Sequence, residues 1–288
     1  MIPEPSSRDP LVESLCQREQ RSFGELASVR LDYSFLRLGA FDATATFSFF
    51  TTYNNDLPSF NVIDYLGGLG VSYKGAVGSA PYRLDLQYTY DYLTLGGEEF
   101  VQRHTIVPSA VITPDSLNLT ALQLRLQTKQ YSQDTNLPRE EKRDAVNYMA
   151  GLLHFFRFAA DRHFIKVGYQ IDYDDADGPN RRGRDFTYLG HRVLAGAQYT
   201  LPWFGIRLRY DFDVHLRDYQ HRNVFLPILA PNTKERFDTE YTHVIGMTVP
   251  LPKNFTLSAD YQAVAARSNI DVFSYRRNVV SVILGWAY

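Results

Sequence analysis

The sequence predicts an all-β fold: an antiparallel transmembrane β-barrel of about 14 strands, thirteen of them visible, with short periplasmic turns and long extracellular loops. Three observations carry this prediction. From Ser22 onward the apolar residues recur with a period of two rather than that of a helix. Aromatic residues reach 14%, with 20 Tyr and 19 Phe, the types favoured in strands and in the interfacial girdles of membrane barrels. Tight turns alternate with longer polar connections along the chain, as the two ends of a transmembrane barrel require.

Taken in order, residues 1–21 are polar and Pro-rich, then weakly helical through Leu11 and Leu15, and do not alternate. They are expected to be a periplasmic segment or the remnant of a linker, ahead of a barrel over 22–288. Strands are predicted near 23–35, 41–53, 62–76, 82–94, 101–113, 118–132, 144–159, 163–174, 186–201, 204–218, 238–250, 255–267 and 273–288. Each is long enough for the ~9–11 residues that cross a bilayer on a tilt. Tight turns are expected at Arg37-Leu38-Gly39, Gly78-Ser79-Ala80-Pro81, Pro114-Asp115-Ser116, Asp161-Arg162, Pro202-Trp203 and Pro252-Lys253-Asn254. The longest loops are expected at 133–143, 175–185 and 219–237. The first and last visible strands then both run toward the short-turn, periplasmic end. Bacterial single-chain barrels have an even strand number, so one outward-running strand is missing. Residues 9–21 are the candidate for it within this chain; a strand from another chain, or a count that is off by one, are the alternatives.

The faces of the wall follow from alternation. In 82–92, Tyr82, Leu84, Leu86, Tyr88, Tyr90 and Tyr92 oppose Arg83, Asp85, Gln87, Thr89 and Asp91. The same code recurs in 163–174, 204–217 and 255–266. A soluble antiparallel sheet with one solvated face alternates in the same way. Thirteen such strands, however, would need one common core, whereas a membrane barrel turns its apolar side outward. Arg83, Asp85, Arg125, Lys166, Asp172, Arg207, Arg209, Asp211 and Asp213 are therefore expected to line the lumen, where opposite charges can pair across strands.

Composition narrows the function. There is no run of about 18 apolar residues, so no transmembrane helix is expected. A net charge of −2 gives no reason to expect nucleic acid as a partner. Cys16 is the only cysteine, which leaves no disulfide framework and no paired-cysteine metal site. Asp213 and His215 share a strand face, but no Ser in a nucleophile motif accompanies them, so no catalytic residue is assigned and no enzyme is expected. Residues 172–178 resemble a calcium loop, yet Ala176 and Asp177 stand where acidic and glycine residues are needed, so neither a metal nor another cofactor is assigned. Arg181, Arg182 and Arg184 suit lipopolysaccharide phosphates as well as plain solvation. The run 224–231 is apolar inside the longest loop, and Phe225, Leu226, Ile228 and Leu229 are expected to fold into the mouth as a gating constriction or to pack on neighbouring loops, with contact to a partner as the alternative.

The last fourteen residues, Y-R-R-N-V-V-S-V-I-L-G-W-A-Y, place Val282, Leu284, Trp286 and Tyr288 on one face. This resembles the C-terminal signal by which bacterial outer-membrane barrels are recognised for insertion, and implies outer-membrane lipid, lipopolysaccharide and the barrel assembly machinery as partners. Three passages resemble the C-terminal barrels of tetratricopeptide-repeat outer-membrane proteins, of the surface lipoprotein assembly modifier and exopolysaccharide exporter type. They are N-V-I-D-Y-L-G-G-L-G-V-S-Y at 61–73, R-D-A-V-N-Y-M-A-G-L at 143–152, and S-N-I-D-V-F-S-Y-R-R-N-V-V-S-V at 268–282. The resemblance implies a conduit for export or surface display working with a periplasmic adaptor. No repeat of that kind lies in the chain, so the adaptor is expected on another chain or upstream. A general or substrate-specific diffusion porin and a plugged scaffold or receptor barrel are the alternatives.

Overall fold

A computed structural model describes residues 23–132, 144–159, 162–176, 184–221 and 235–287. Thirteen strands form one antiparallel sheet in strict sequence order, each bonded to its chain neighbours. They are β1 (Gly24–Leu38), β2 (Phe41–Asn54), β3 (Val62–Val77), β4 (Ala80–Leu95), β5 (Glu98–Ile112), β6 (Asn118–Tyr131), β7 (Ala145–Phe158), β8 (His163–Asp175), β9 (Tyr188–Thr200), β10 (Arg207–Tyr219), β11 (Phe237–Pro250), β12 (Phe255–Ser268) and β13 (Tyr275–Trp286). Every predicted strand is present, with its ends moved by at most three residues. Single 3₁₀ turns at Pro58–Phe60, Arg184–Phe186 and Asp271–Phe273 sit in the connections at the loop end.

Three boundaries differ from expectation. Arg37 and Leu38 belong to β1, paired with Asp42 and Phe41, because an extra residue at Phe35 shifts the register between Ser34 and Leu36 and carries the strand on to Gly39. β10 starts at Arg207 rather than 204, since Phe204 and Gly205 both take positive φ in the turn before it. The connection between β4 and β5, expected to be a loop of the longer kind, is only Gly96–Gly97. Both glycines have positive φ (63° and 91°), the backbone of a two-residue hairpin, and a Cβ on Gly96 would come within 3.1 Å of the Ser59 carbonyl oxygen. The other connections keep the expected alternation: residues 132–144, 176–187 and 220–236 separate strands at one end, and 39–40, 78–79 and 251–254 at the other.

Burial is inverted relative to a soluble domain. On one face the large apolar side chains are exposed, from Leu84 and Leu86 through Ile165, Val167 and Tyr169 to Val280 (75%) and Val282 (70%). On the other, polar side chains are buried: Asn147 is 1% exposed, Asp91 and Asp238 4%, and Asp172, Asp174 and Arg236 are buried as well. No second layer covers this sheet among the described residues. A single layer buries one of its faces only by curling around it, so the polar face is the concave one. That is the architecture of a transmembrane barrel wall, with hydrocarbon in place of a core.

Candidate functional site

The site is the polar face, and its charges are joined into a lattice. Lys166 on β8 meets Asp211 on β10 at 2.6 Å, although β9 lies between them. Strands two apart are separated by about 9–10 Å, and the gap is bridged because the residue between, Gly196, carries no side chain. Gly196 is directly opposite both partners, and a Cβ there would stand 2.6 Å from Asp211 Oδ1 and from Lys166 Cε. The device is repeated. Gly246 on β11 lies between Arg209 on β10 and Asp260 on β12, which meet at 3.3 Å. Gly190 on β9 opens the path between Asp172 on β8 and His215 on β10, 3.1 Å apart. Arg209 also reaches Asp211 at 3.0 Å, so Lys166, Asp211, Arg209 and Asp260 form a continuous belt over five strands.

Toward the loop end a second group is more deeply buried. Lys129 on β6 spans β7 to reach Asp174 at 2.7 Å, and Arg125 donates to Asn147 Oδ1 at 2.8 Å. Arg192 holds Asp213 at 2.5 Å, and Arg217 holds Glu240 at 2.7 Å; Tyr275 on β13 donates to the same Glu240 at 3.0 Å. Arg236 is clamped at the rim. Its guanidinium donates to both oxygens of Asp238, at 3.0 Å and 2.5 Å, and its Cζ lies 4.4 Å from the centre of the Tyr219 ring and 3.4 Å from that of Phe273. Cation–π contact and charge-assisted hydrogen bonds therefore hold one buried cation between the end of β10, the start of β11 and the connection before β13.

All nine residues expected on the inner face lie on the polar face of their strands, and eight of them join polar contacts there. Arg83 pairs with Asp85 at 2.6 Å, within β4. Arg207 is exposed at the first residue of β10, with no ion pair among the described residues. Asp213 and His215 share a face as expected but are held by different partners, Arg192 and Asp172. The acids of the calcium-like stretch divide likewise: Asp172 and Asp174 are taken up by His215 and Lys129, and 177–178 lies outside the described residues. Phe225, Leu226, Ile228 and Leu229 lie outside the described residues, as do Arg181, Arg182 and Tyr288. Val282, Leu284 and Trp286 project from the apolar face, 70%, 65% and 61% exposed.

Sequence reasoning placed Asp91 on the polar face but missed its partner Arg103, and missed Lys129, Asn147, Arg192, Glu240 and the three glycines. A signal for the glycines was present: Gly190, Gly196 and Gly246 all fall on the polar parity of their strands, at places where a polar side chain is otherwise usual.

No family model and no curated protein matches this chain. Solved structures similar to it are outer-membrane β-barrels. OccD3 (OpdP) of Pseudomonas aeruginosa is 9% identical with a TM-score of 0.44, over 92% of this chain and 87% of that one. The β domain of the Bordetella autotransporter BrkA is 12% identical with a TM-score of 0.38, over 92% and 98%. The ferric citrate transporter FecA is 9% identical with a TM-score of 0.42, over 90% of this chain and 46% of that one.

Proposed function

We propose that this chain is the wall of a conduit in the bacterial outer membrane, through which a polar macromolecule is exported or displayed with the help of a periplasmic partner. The observation that carries this is the lateral pairing of the charges on the polar face. Every ion pair between the strands described above links neighbours or next-but-one strands, so these charges are satisfied along the wall and none of these pairs has to reach across the interior. With about 14 strands the barrel is wider than the eight-stranded kind that side chains fill. Both signs are present and balanced, which suits a polar cargo without strong charge preference. Arg83, Asp85, Arg125, Lys166, Asp172, Arg207, Arg209, Asp211 and Asp213 would then line the lumen. Val282, Leu284 and Trp286, with Tyr288, would serve as the C-terminal insertion signal for the barrel assembly machinery.

A periplasmic partner is supported by the charge of the turn end. Arg37, Lys74, Arg162, Arg207 and Lys253 are exposed there, against Asp42 and Asp115 among the described residues. Such a rim would attract an acidic docking face.

The same lateral pairing of charges along the wall favours a second reading, a diffusion porin acting alone. Single-channel recording of the purified chain in planar bilayers separates these. An export conduit should conduct with little preference for cations or anions and be blocked when extended polyethylene glycol enters it. Steady conductance that only small solutes reduce favours the porin. Silence with a folded chain favours a plugged scaffold and removes the conduit.

A further inference from the structure

Lysine and arginine are divided unevenly between the two faces of the wall. Residues two apart on a strand share a face, and so do directly opposed residues of an antiparallel pair. By that parity, with the register shift in β1 included, every Lys and Arg of β1 to β11 falls on the polar face. So does Arg277 of β13, opposite the buried Val264. Two arginines do not. Arg267 has the parity of Tyr261 on β12 and Arg276 that of Val280 on β13, and Tyr261 and Val280 oppose each other on the apolar face, 42% and 75% exposed. The residues beside them confirm the direction, since Ala266 is buried and Tyr275 donates to Glu240 on the polar face.

The two arginines form one locus at the loop end of the wall. Arg267 is the last residue but one of β12, and Arg276 is the second of β13. Arg276 is directly opposite Ala265, two residues before Arg267, so the pair are diagonal neighbours with Cα atoms about 7–8 Å apart. Both are exposed, and neither has an ion pair among the described residues. Like charges this close repel, more strongly beside hydrocarbon than in bulk water. The charged residues at outward positions near the loop end of β1, β8 and β10 are acids: Glu25, Asp175 and Asp218. Beside the pair the wall is shallow, with Ala265 opposite Arg276 and Ala263 opposite Asn278. Asn278 Oδ1 accepts from the Tyr261 hydroxyl at 3.1 Å, which leaves its amide NH2 to donate. Toward the turn end the face continues as bare apolar surface through Val280, Val282 and Ile245.

We propose that Arg267 and Arg276 are a binding site for the phosphorylated headgroup of an outer-leaflet lipid, the lipid A part of lipopolysaccharide. A phosphate between the two guanidiniums removes their repulsion and matches the planar fork of each. The acyl chains of the same molecule then lie along Val280 and Ile245, so one amphiphile satisfies both the charge and the apolar surface below it. An acidic protein would answer only the charge. The inference rests on the outer-membrane reading of the chain and places the lipid contact on strand residues.

The test uses the full chain, delipidated in detergent, checked for folded, heat-modifiable mobility and titrated with diphosphoryl lipid A under native mass spectrometry. The chain should retain one lipid A molecule, and Arg267→Gln and Arg276→Gln should each weaken retention about tenfold. Arg277→Gln, next in sequence but on the polar face, should leave it unchanged. Dephosphorylated lipid A, a comparison that needs no variant, should bind the parent chain about tenfold more weakly. Equal retention of the dephosphorylated lipid, or equal loss in Arg277→Gln, overturns the site. Displacement of lipid A by equimolar inorganic pyrophosphate overturns the lipid assignment in favour of a free phosphate. A chain that conducts in bilayers yet retains no lipid A loses the site and keeps the conduit, whereas water on both faces of β8 would remove the wall and the site together.

Discussion

At the scale of single residues, the polar face depends on side chains that are absent as much as on those present. Replacing Gly196 by Val puts carbon where Asp211 Oδ1 and Lys166 Cε meet, and should cost about 1–3 kcal/mol through overpacking and loss of the pair. Gly67 is the control: it too is a strand glycine, but a Cβ there meets nothing within 4 Å, so Gly67→Ala should be neutral or slightly stabilising. Guanidinium unfolding from lipid vesicles checks both. Arg236 illustrates the opposite dependence. Removing its charge as Arg236→Met leaves the buried Asp238 carboxylate without its cation, and a loss of about 3–5 kcal/mol is expected in the same assay.

Asp115, in the turn between β5 and β6, gives a pH dependence outside the wall. Its carboxylate accepts from the Asn118 side chain and from the Leu117 and Asn118 amides, and these bonds hold its pKa below the ordinary value. A depressed carboxyl pKa contributes order above the unfolded value, about 3.9, and that order is lost as pH falls through the lower folded value. Protection of the Leu117 and Asn118 amides from hydrogen exchange should therefore weaken on acidification below about pH 4. In Asp115→Ala it should already be weak at neutral pH.

At the scale of elements, strand positions and faces were legible in the sequence because a strand's period of two is local. Strand 82–92 shows its two faces without knowledge of any neighbour. The skip-strand pairs were not legible: whether Lys166 meets Asp211 depends on the register of β8, β9 and β10 together and on which residue of β9 lies between them. The same holds for Arg236, whose two aromatic partners come from β10 and from the turn before β13. The Gly96–Gly97 hairpin could have been read from the glycine pair itself, but the longer connection expected by alternation outweighed it. The faces lead to an element-level prediction. Val193 projects outward near the middle of β9, and Val193→Arg should cost about 2–4 kcal/mol in a bilayer. Gln170→Arg, on the polar face of β8, should insert and fold almost as well as the parent chain. Equal tolerance of both would mean that the apolar face does not lie in lipid.

At the scale of the whole molecule, one unbroken meander gives the wall, and among the described residues its strand number is odd, so β1 and β13 run parallel at its edges. The parity was visible from sequence, since alternating connection lengths fix the strand directions. How the wall closes was not, because hydropathy gives no alternation in residues 9–21. A conduit in the membrane requires water on the polar face and lipid on the apolar face. The most direct test is cysteine accessibility along β8 in vesicles, in a Cys16→Ser background. A water-soluble maleimide should label cysteines at 166 and 170 and leave those at 167, 169 and 171 unlabelled. Labelling at all five positions would mean water on both faces and would contradict a transmembrane wall.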